Sequence, residues 1–333
     1  MSEAGEQPVA KGSRLKAQLW LAAKIAVSLA TLVIVFSIIS PARLWTNIQG
    51  MKFGPFLLAL AVVNLVQLAA SFRTTQVARA LGGSLGFMRS LELTYISIWM
   101  SQVLPSSFGG DVAKGAYLVK QLGARRTVHV VLIDRLAGVA VMLLAIAAFL
   151  PAYGRYFPAG SFLWFAAGVI GIILAGAAAV LLAARYGAAS RIPGLADIGL
   201  LARDMLRMLR WPEGFHIGWT SVLTHVNGVL NYYLIGQALG IDAPFYDFWL
   251  IVPLIFIAAL FPIAMAGWGV REASAIWLFG LAGVPPDQGL ALSVSYGVFL
   301  IVTAIPGVFA MMFARYRSAP KPDVANTTPS ASG

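Results

Sequence analysis

Asp111 with Lys114, Asp134 with Arg135 and Arg271 with Glu272 are acids and bases set inside stretches that are otherwise strongly apolar. Pro105, Gly109 and Gly110 lead into the first of these groups, and Gly267 and Gly269 into the third. Glycine lets backbone approach a ligand closely. A helix start with a neighbouring cation suits an anion such as phosphate. Isolated carboxylates and three scattered histidines give no metal-ligand cluster and no nucleophile–base pair. The residues therefore point to anion binding rather than bond making. The chain is expected not to be an enzyme, with no catalytic residue, no metal and no cofactor.

The elements that must hold these charges are membrane helices. Hydrophobic residues make up 59% of the 333-residue chain, charged ones 11%, and the mean hydropathy is +0.81; soluble domains carry roughly 25% charged residues. The absence of cysteine excludes disulfides and thiolate metal sites. The net charge of +11 lies at helix boundaries, where membrane topology explains it better than nucleic acid does. Full-length spans are predicted at 19–39, 53–72, 128–150, 161–184, 217–239 and 288–313.

Two apolar stretches are too short to join that set. Residues 91–104 stop at Pro105 and residues 248–262 run into "FPIAMAGWGVRE". At 1.5 Å per residue they reach about 21–23 Å, short of a ~30 Å hydrocarbon core. A second short helical stretch follows each, at 111–122 and 270–283. Two re-entrant hairpins, 91–122 and 248–283, are the economical reading. Charge supports it. Of 24 Lys and Arg, four (Lys24, Lys114, Arg135, Arg271) fall in spans or hairpins and three (Arg43, Lys52, Arg155) outside. The other seventeen, Arg73 among them, fall on the cytoplasmic side if the N-terminus is cytoplasmic.

The predicted architecture is thus an all-α polytopic membrane protein with six full spans and two oppositely oriented hairpins in an inverted repeat. Residues 1–18 form a cytoplasmic segment, 19–150 the first repeat, 151–317 the second, and 318–333 a disordered tail. A basic cytoplasmic segment at 185–216 carries a predicted surface helix suited to anionic headgroups. Both return helices would begin near the midplane, Asp111 capping the first, with Lys114 and Arg271 in first turns beside the positive helix ends. Together these make a phosphate site. The alternative is that Asp111–Lys114 and Arg271–Glu272 merely neutralise one another. Asp134 and Arg135 would contact the headgroup, or lock span to hairpin as ion pairs. Polar stripes supply cavity-lining candidates, Asn64 and Gln67 with Ser71, and Asn227 and Asn231 with Thr220 and Thr224; packing glue is the competing reading. Glu92, near the cytoplasmic mouth, would pair with Arg89 or else steer a headgroup, and His225 would hydrogen-bond a neighbour rather than serve as a ligand.

In order and spacing these residues resemble the flippase-like family named for the transmembrane domain of lysylphosphatidylglycerol synthase. The resemblance rests on Pro105, Gly109, Gly110, Asp111 and Lys114, then Asp134 and Arg135, then Gly267, Gly269, Arg271 and Glu272. Where the family usually has arginine, this chain has Lys114. The resemblance covers the membrane region and implies a stand-alone membrane domain, without the aminoacyl-transferase domain, in a bacterial plasma membrane with both termini cytoplasmic. It implies movement of an anionic phospholipid, aminoacyl-lipid or polyprenyl-phosphate-linked lipid between leaflets. The implied partners are membrane lipids and their anionic headgroups, together with lipid-biosynthesis enzymes, and no nucleic acid. The competing functions are an ion-coupled small-solute transporter and a membrane-embedded enzyme of lipid or glycan synthesis. No G-x-x-x-x-G-K-[ST] signature occurs, so passive movement or ion coupling, with Glu272 as first choice for a proton carrier, replaces direct ATP use.

Overall fold

The computed structural model describes residues 45–46, 48–104, 108–260 and 268–317, and the secondary structure among them is helical throughout. The N-terminal segment 1–18, the predicted span 19–39, Pro105, Gly267 and the tail 318–333 lie outside the described residues. The helices are α1 (Phe53–Ala80), α2 (Phe87–Val103), α3 (Gly109–Leu122), α4 (Ala124–Ala148) and α5 (Ala159–Tyr186), followed by α6 (Pro193–Arg207), α7 (Glu213–Ala238), α8 (Phe245–Leu260), α9 (Val270–Leu281) and α10 (Pro286–Arg317). Short 3-10 turns at Leu150–Arg155 and Gly187–Ala189 flank α5.

Four described helices are long and apolar enough to cross a membrane: Phe53–Ala80, Ala124–Ala148, Ala159–Tyr186 and the Pro286–Met312 part of α10. The protein is an integral membrane protein. Its outward faces are apolar, as on α5, where Leu163, Trp164, Ile172 and Leu174 are exposed. That is the surface a helix presents to lipid, since its own backbone is already hydrogen-bonded. The predicted span 217–239 corresponds to α7 beyond its first turn, and α7 is long enough but more polar than the other four. Its polar residues Thr220, Ser221, His225, Asn227 and Asn231 are all buried. They face protein because α7 lies along α1, the most extensive helix pairing among the described residues. Asn227 Nδ2 donates to the Val62 carbonyl of α1 at 3.0 Å and so ties the two helices.

The short helices pack in pairs, α2 on α3 and α8 on α9. Close contact in the first pair depends on missing side chains. A Cβ on Gly110 would lie 2.1 Å from Ser101 Oγ and 2.2 Å from the Ser97 carbonyl, and one on Gly109 would lie 2.5 Å from Leu104 Cβ. Helix α3 passes into α4 through Gly123 alone, whose φ of 77° is a left-handed conformation that favours glycine. Helix α10 packs against both α2 and α9. Gly307 meets the Tyr95 carbonyl and Trp99 of α2, and Gly289 meets Ile276 of α9.

Helix α6 is the amphipathic surface element. Ile198 and Leu195 are exposed, while Gly199 and Ala202 face inward, Gly199 against Gly187. Arg203 does not stand free beside Arg207 and Arg210: its Nε donates to the Ala184 carbonyl in the last turn of α5 at 2.8 Å. A cation there also favours the negative end of that helix.

A candidate anion site between four helices

Asp134 on α4 is the hub of a buried charge cluster. Its Oδ1 accepts from Arg73 Nε at 2.6 Å, and its Oδ2 accepts from Lys114 Nζ at 3.3 Å. Lys114 also donates to the Thr74 hydroxyl at 2.8 Å. That hydroxyl lies 3.1 Å from the Ala70 carbonyl and 3.3 Å from Asp134 Oδ2, and has one proton to give. Arg73 Nη1 donates to Ser221 Oγ at 3.0 Å, with Thr224 Oγ1 at 3.4 Å, both on α7. Helices α1, α3 and α4 thus meet at one carboxylate, and α7 joins the cluster through Arg73. Arg73 is only 7% exposed and Lys114 only 6%.

Arg73, which the sequence reading counted outside the spans, lies within α1 and is buried. Helix α1 runs on to Ala80 instead of stopping at 72, and its last two turns are packed by α2, α3 and α4. The signal was in the polar stripe. Asn64, Gln67 and Ser71 continue, by the same spacing, to Thr74, so a polar contact runs beyond the apolar window.

Asp111 is also placed differently. The residue flanking α3 is Phe108, and Asp111 lies inside the first turn with no capping hydrogen bond from a side chain. Lys114 follows one turn later, not in the first turn. Asp111 bonds to Arg135 Nη1, and the Arg135 guanidinium lies over the Phe108 ring, 4.0 Å from its centroid. The pairing is therefore crosswise between helices: Asp111 with Arg135, and Lys114 with Asp134. Antiparallel α3 and α4, joined by one residue, bring 111 opposite 135 and 114 opposite 134. Asp134 and Arg135 both make ion pairs to other helices, Asp134 to α1 and α3 and Arg135 to α3. Glu92 pairs with Arg89 at 2.7 Å, as its i, i+3 spacing suggests.

Arg271 and Glu272 form a second cluster at the start of α9. Arg271 Nη2 and Nε donate to Glu272 Oε1 at 2.6 and 3.0 Å, and the Gly269 N–H donates to Oε2 at 2.5 Å. Ser293 Oγ on α10 lies 3.2 Å from the carboxylate. The guanidinium lies 4.7 Å from the Trp268 ring centroid and 5.9 Å from that of Tyr296. Gly269 has φ 91°, and Gly297 admits the guanidinium because a Cβ there would stand 2.5 Å from Arg271 Nη2. Glu272 is fully buried. The cluster is balanced and closed. Lys114 and Arg271 are held by different partners, and no partner is common to the two clusters among the described residues.

The stripe residues bond both between helices and along their own. The Tyr95 hydroxyl donates to Asn64 Oδ1 at 2.6 Å, and Asn231 Nδ2 donates to Asn227 Oδ1 at 2.5 Å. Gln67 is half-buried, and its carbonyl accepts from Ser71. His225 Nε2 is buried with no hydrogen-bond partner among the described residues, its ring edge-on to Trp249. Sequence reasoning also missed His129, whose Nδ1 lies 2.7 Å from Asp204 Oδ2 and ties α4 to α6.

Residues 21–307 match the family described as the lysylphosphatidylglycerol synthase TM region. None of the curated proteins matches the chain.

Proposed function

Because the chain belongs to the family of the lysylphosphatidylglycerol synthase transmembrane region, we propose that it moves a lipid between the leaflets of a bacterial plasma membrane. The cargo is an anionic phospholipid, an aminoacyl-lipid or a polyprenyl-phosphate-linked lipid, its headgroup crossing by way of the polar centre of the bundle. The observation that carries this reading is the Arg73–Asp134–Lys114 cluster, buried where four membrane-protein helices meet. Ionisable residues at membrane depth are costly and mark pathways for polar cargo. The protein acts as a carrier and makes no covalent change in the lipid.

The topology that goes with it has six full spans, both termini cytoplasmic, and α2–α3 and α8–α9 as re-entrant hairpins of an inverted repeat. Helix lengths support it. Seventeen, 14, 16 and 12 residues reach about 26, 21, 24 and 18 Å, each below the hydrocarbon thickness. The native chain has no cysteine, so single cysteines at the exposed positions Gln121 and Pro285 report their side directly. The expected result is labelling of position 121 from the cytoplasmic face and of 285 from the outer face. Labelling of both from one face rejects the inverted arrangement.

Transport is tested in vesicles of phosphatidylcholine with a trace of fluorescent phosphatidylglycerol, its inner-leaflet fraction protected from dithionite. The purified chain should let the protected fraction decay faster than in empty vesicles. Identical decay for phosphatidylglycerol, lysyl-phosphatidylglycerol and a polyprenyl phosphate would end the translocase reading.

A further inference from the structure

We propose that Arg73 and Lys114 together form a seat for one phosphate-type monoanion, and that this is where an anionic headgroup is held. The inference deepens the translocase reading and rests on it for the identity of the cargo. It replaces the joint action of Lys114 and Arg271 that the sequence suggests.

The argument is a charge count. Two buried cations, Arg73 and Lys114, meet one carboxylate, Asp134. The other acids nearest in the fold are engaged elsewhere, Asp111 with Arg135, Glu92 with Arg89 and Glu272 with Arg271. Segments 105–107 and 261–267 read PSS and FPIAMAG and contain no acid. The cluster is therefore one negative charge short. Locking α1 and α3 onto α4 needs no such excess, since Arg271 and Glu272 brace α9 with matched charge. An unmatched buried cation carries a desolvation penalty, which an incoming anion offsets.

The geometry agrees with the count. Arg73 directs Nε to Asp134 and Nη1 to Ser221 and Thr224. Among the described residues no acceptor meets its Nη2. Lys114 has two acceptors, Thr74 and Asp134, for three N–H bonds. A guanidinium edge and an ammonium proton sharing one carboxylate can receive two oxygens of a phosphodiester. The Thr74, Ser221 and Thr224 oxygens give the surroundings a polar lining without adding charge.

The experiment is the thermal unfolding midpoint of the purified full chain in detergent, titrated with dioctanoyl phosphatidylglycerol, dioctanoylglycerol or inorganic phosphate. Phosphatidylglycerol should raise the midpoint saturably and dioctanoylglycerol should not. Equal half-saturation by inorganic phosphate identifies a free-anion seat; tighter response to the lipid identifies a headgroup seat. Arg73→Gln and Lys114→Gln should each weaken the response about tenfold or more, and either variant carries the test if the other fails to fold. A wild-type response to phosphatidylglycerol no larger than to dioctanoylglycerol overturns the proposal. So does a wild-type half-saturation in Arg73→Gln. Loss of binding in these variants with no lipid movement by the wild type would keep the seat and reject the translocase. Movement at the wild-type rate by a folded Arg73→Gln would do the reverse.

Discussion

Glu272→Ala should lose about 3–5 kcal/mol of stability, because it leaves the Arg271 guanidinium buried without its counter-charge. It also removes the acceptor for the Gly269 N–H, so the first turn of α9 loses its closing hydrogen bond. Against a total of 5–15 kcal/mol for an ordinary domain, that is enough to deplete the folded protein recovered from membranes. Removing both charges as Arg271→Met with Glu272→Leu should be milder than Glu272→Ala alone, since no lone ion is left behind. The check is the melting midpoint together with the monodisperse fraction in detergent. A Glu272→Ala protein that melts within about a degree of wild type would show that the pair does not brace α9. It would also favour Glu272 as a mobile proton carrier.

Gly110→Ala is the second large effect, and its cause is steric. The added methyl would meet Ser101 Oγ at 2.1 Å and the Ser97 carbonyl at 2.2 Å, and the latter is backbone that cannot turn aside. Helix α2 must then shift away from α3, an overpacking cost of about 1–3 kcal/mol. Gly138→Ala on α4 is the matched control, because no atom lies within 4 Å of its added methyl. There the better helix propensity of alanine should leave stability unchanged or raise it by up to about 1 kcal/mol. Opposite signs for the two alanines are the expected result. A neutral Gly110→Ala would mean that the α2–α3 contact is looser than it stands here.

These two residues also show what can be read from the sequence. Charges inside apolar runs are legible one at a time, and Asp111, Lys114, Asp134, Arg135, Arg271 and Glu272 all lie in ion pairs. Their partners are another matter. Arg271 and Glu272 are chain neighbours, so that pair was visible, whereas Arg73 meets Asp134 across 61 positions and Ser221 across 148. Such contacts depend on which helices lie side by side, and hydropathy is silent on that. The glycines illustrate the same limit. Their type announces close approach, yet only the packing shows that Gly109 and Gly110 admit α2. Helix lengths were read well where apolar residues run to the boundary, as in α5. They were underestimated in α1, whose polar last turns are covered by protein.

One feature of the assembly matters for biosynthesis. Helix α2 ends at Val103, and α10, against which it packs through Gly307, begins at Pro286. At roughly 5–20 residues per second a ribosome takes on the order of ten to forty seconds to cover that interval. Through that interval the α2 surface around Tyr95 and Trp99 is without the helix that finally covers it. The nascent first half therefore depends on lipid or on the insertion machinery to occupy that surface. Arrival of α10 then covers that surface of the first half and packs against α9 of the second.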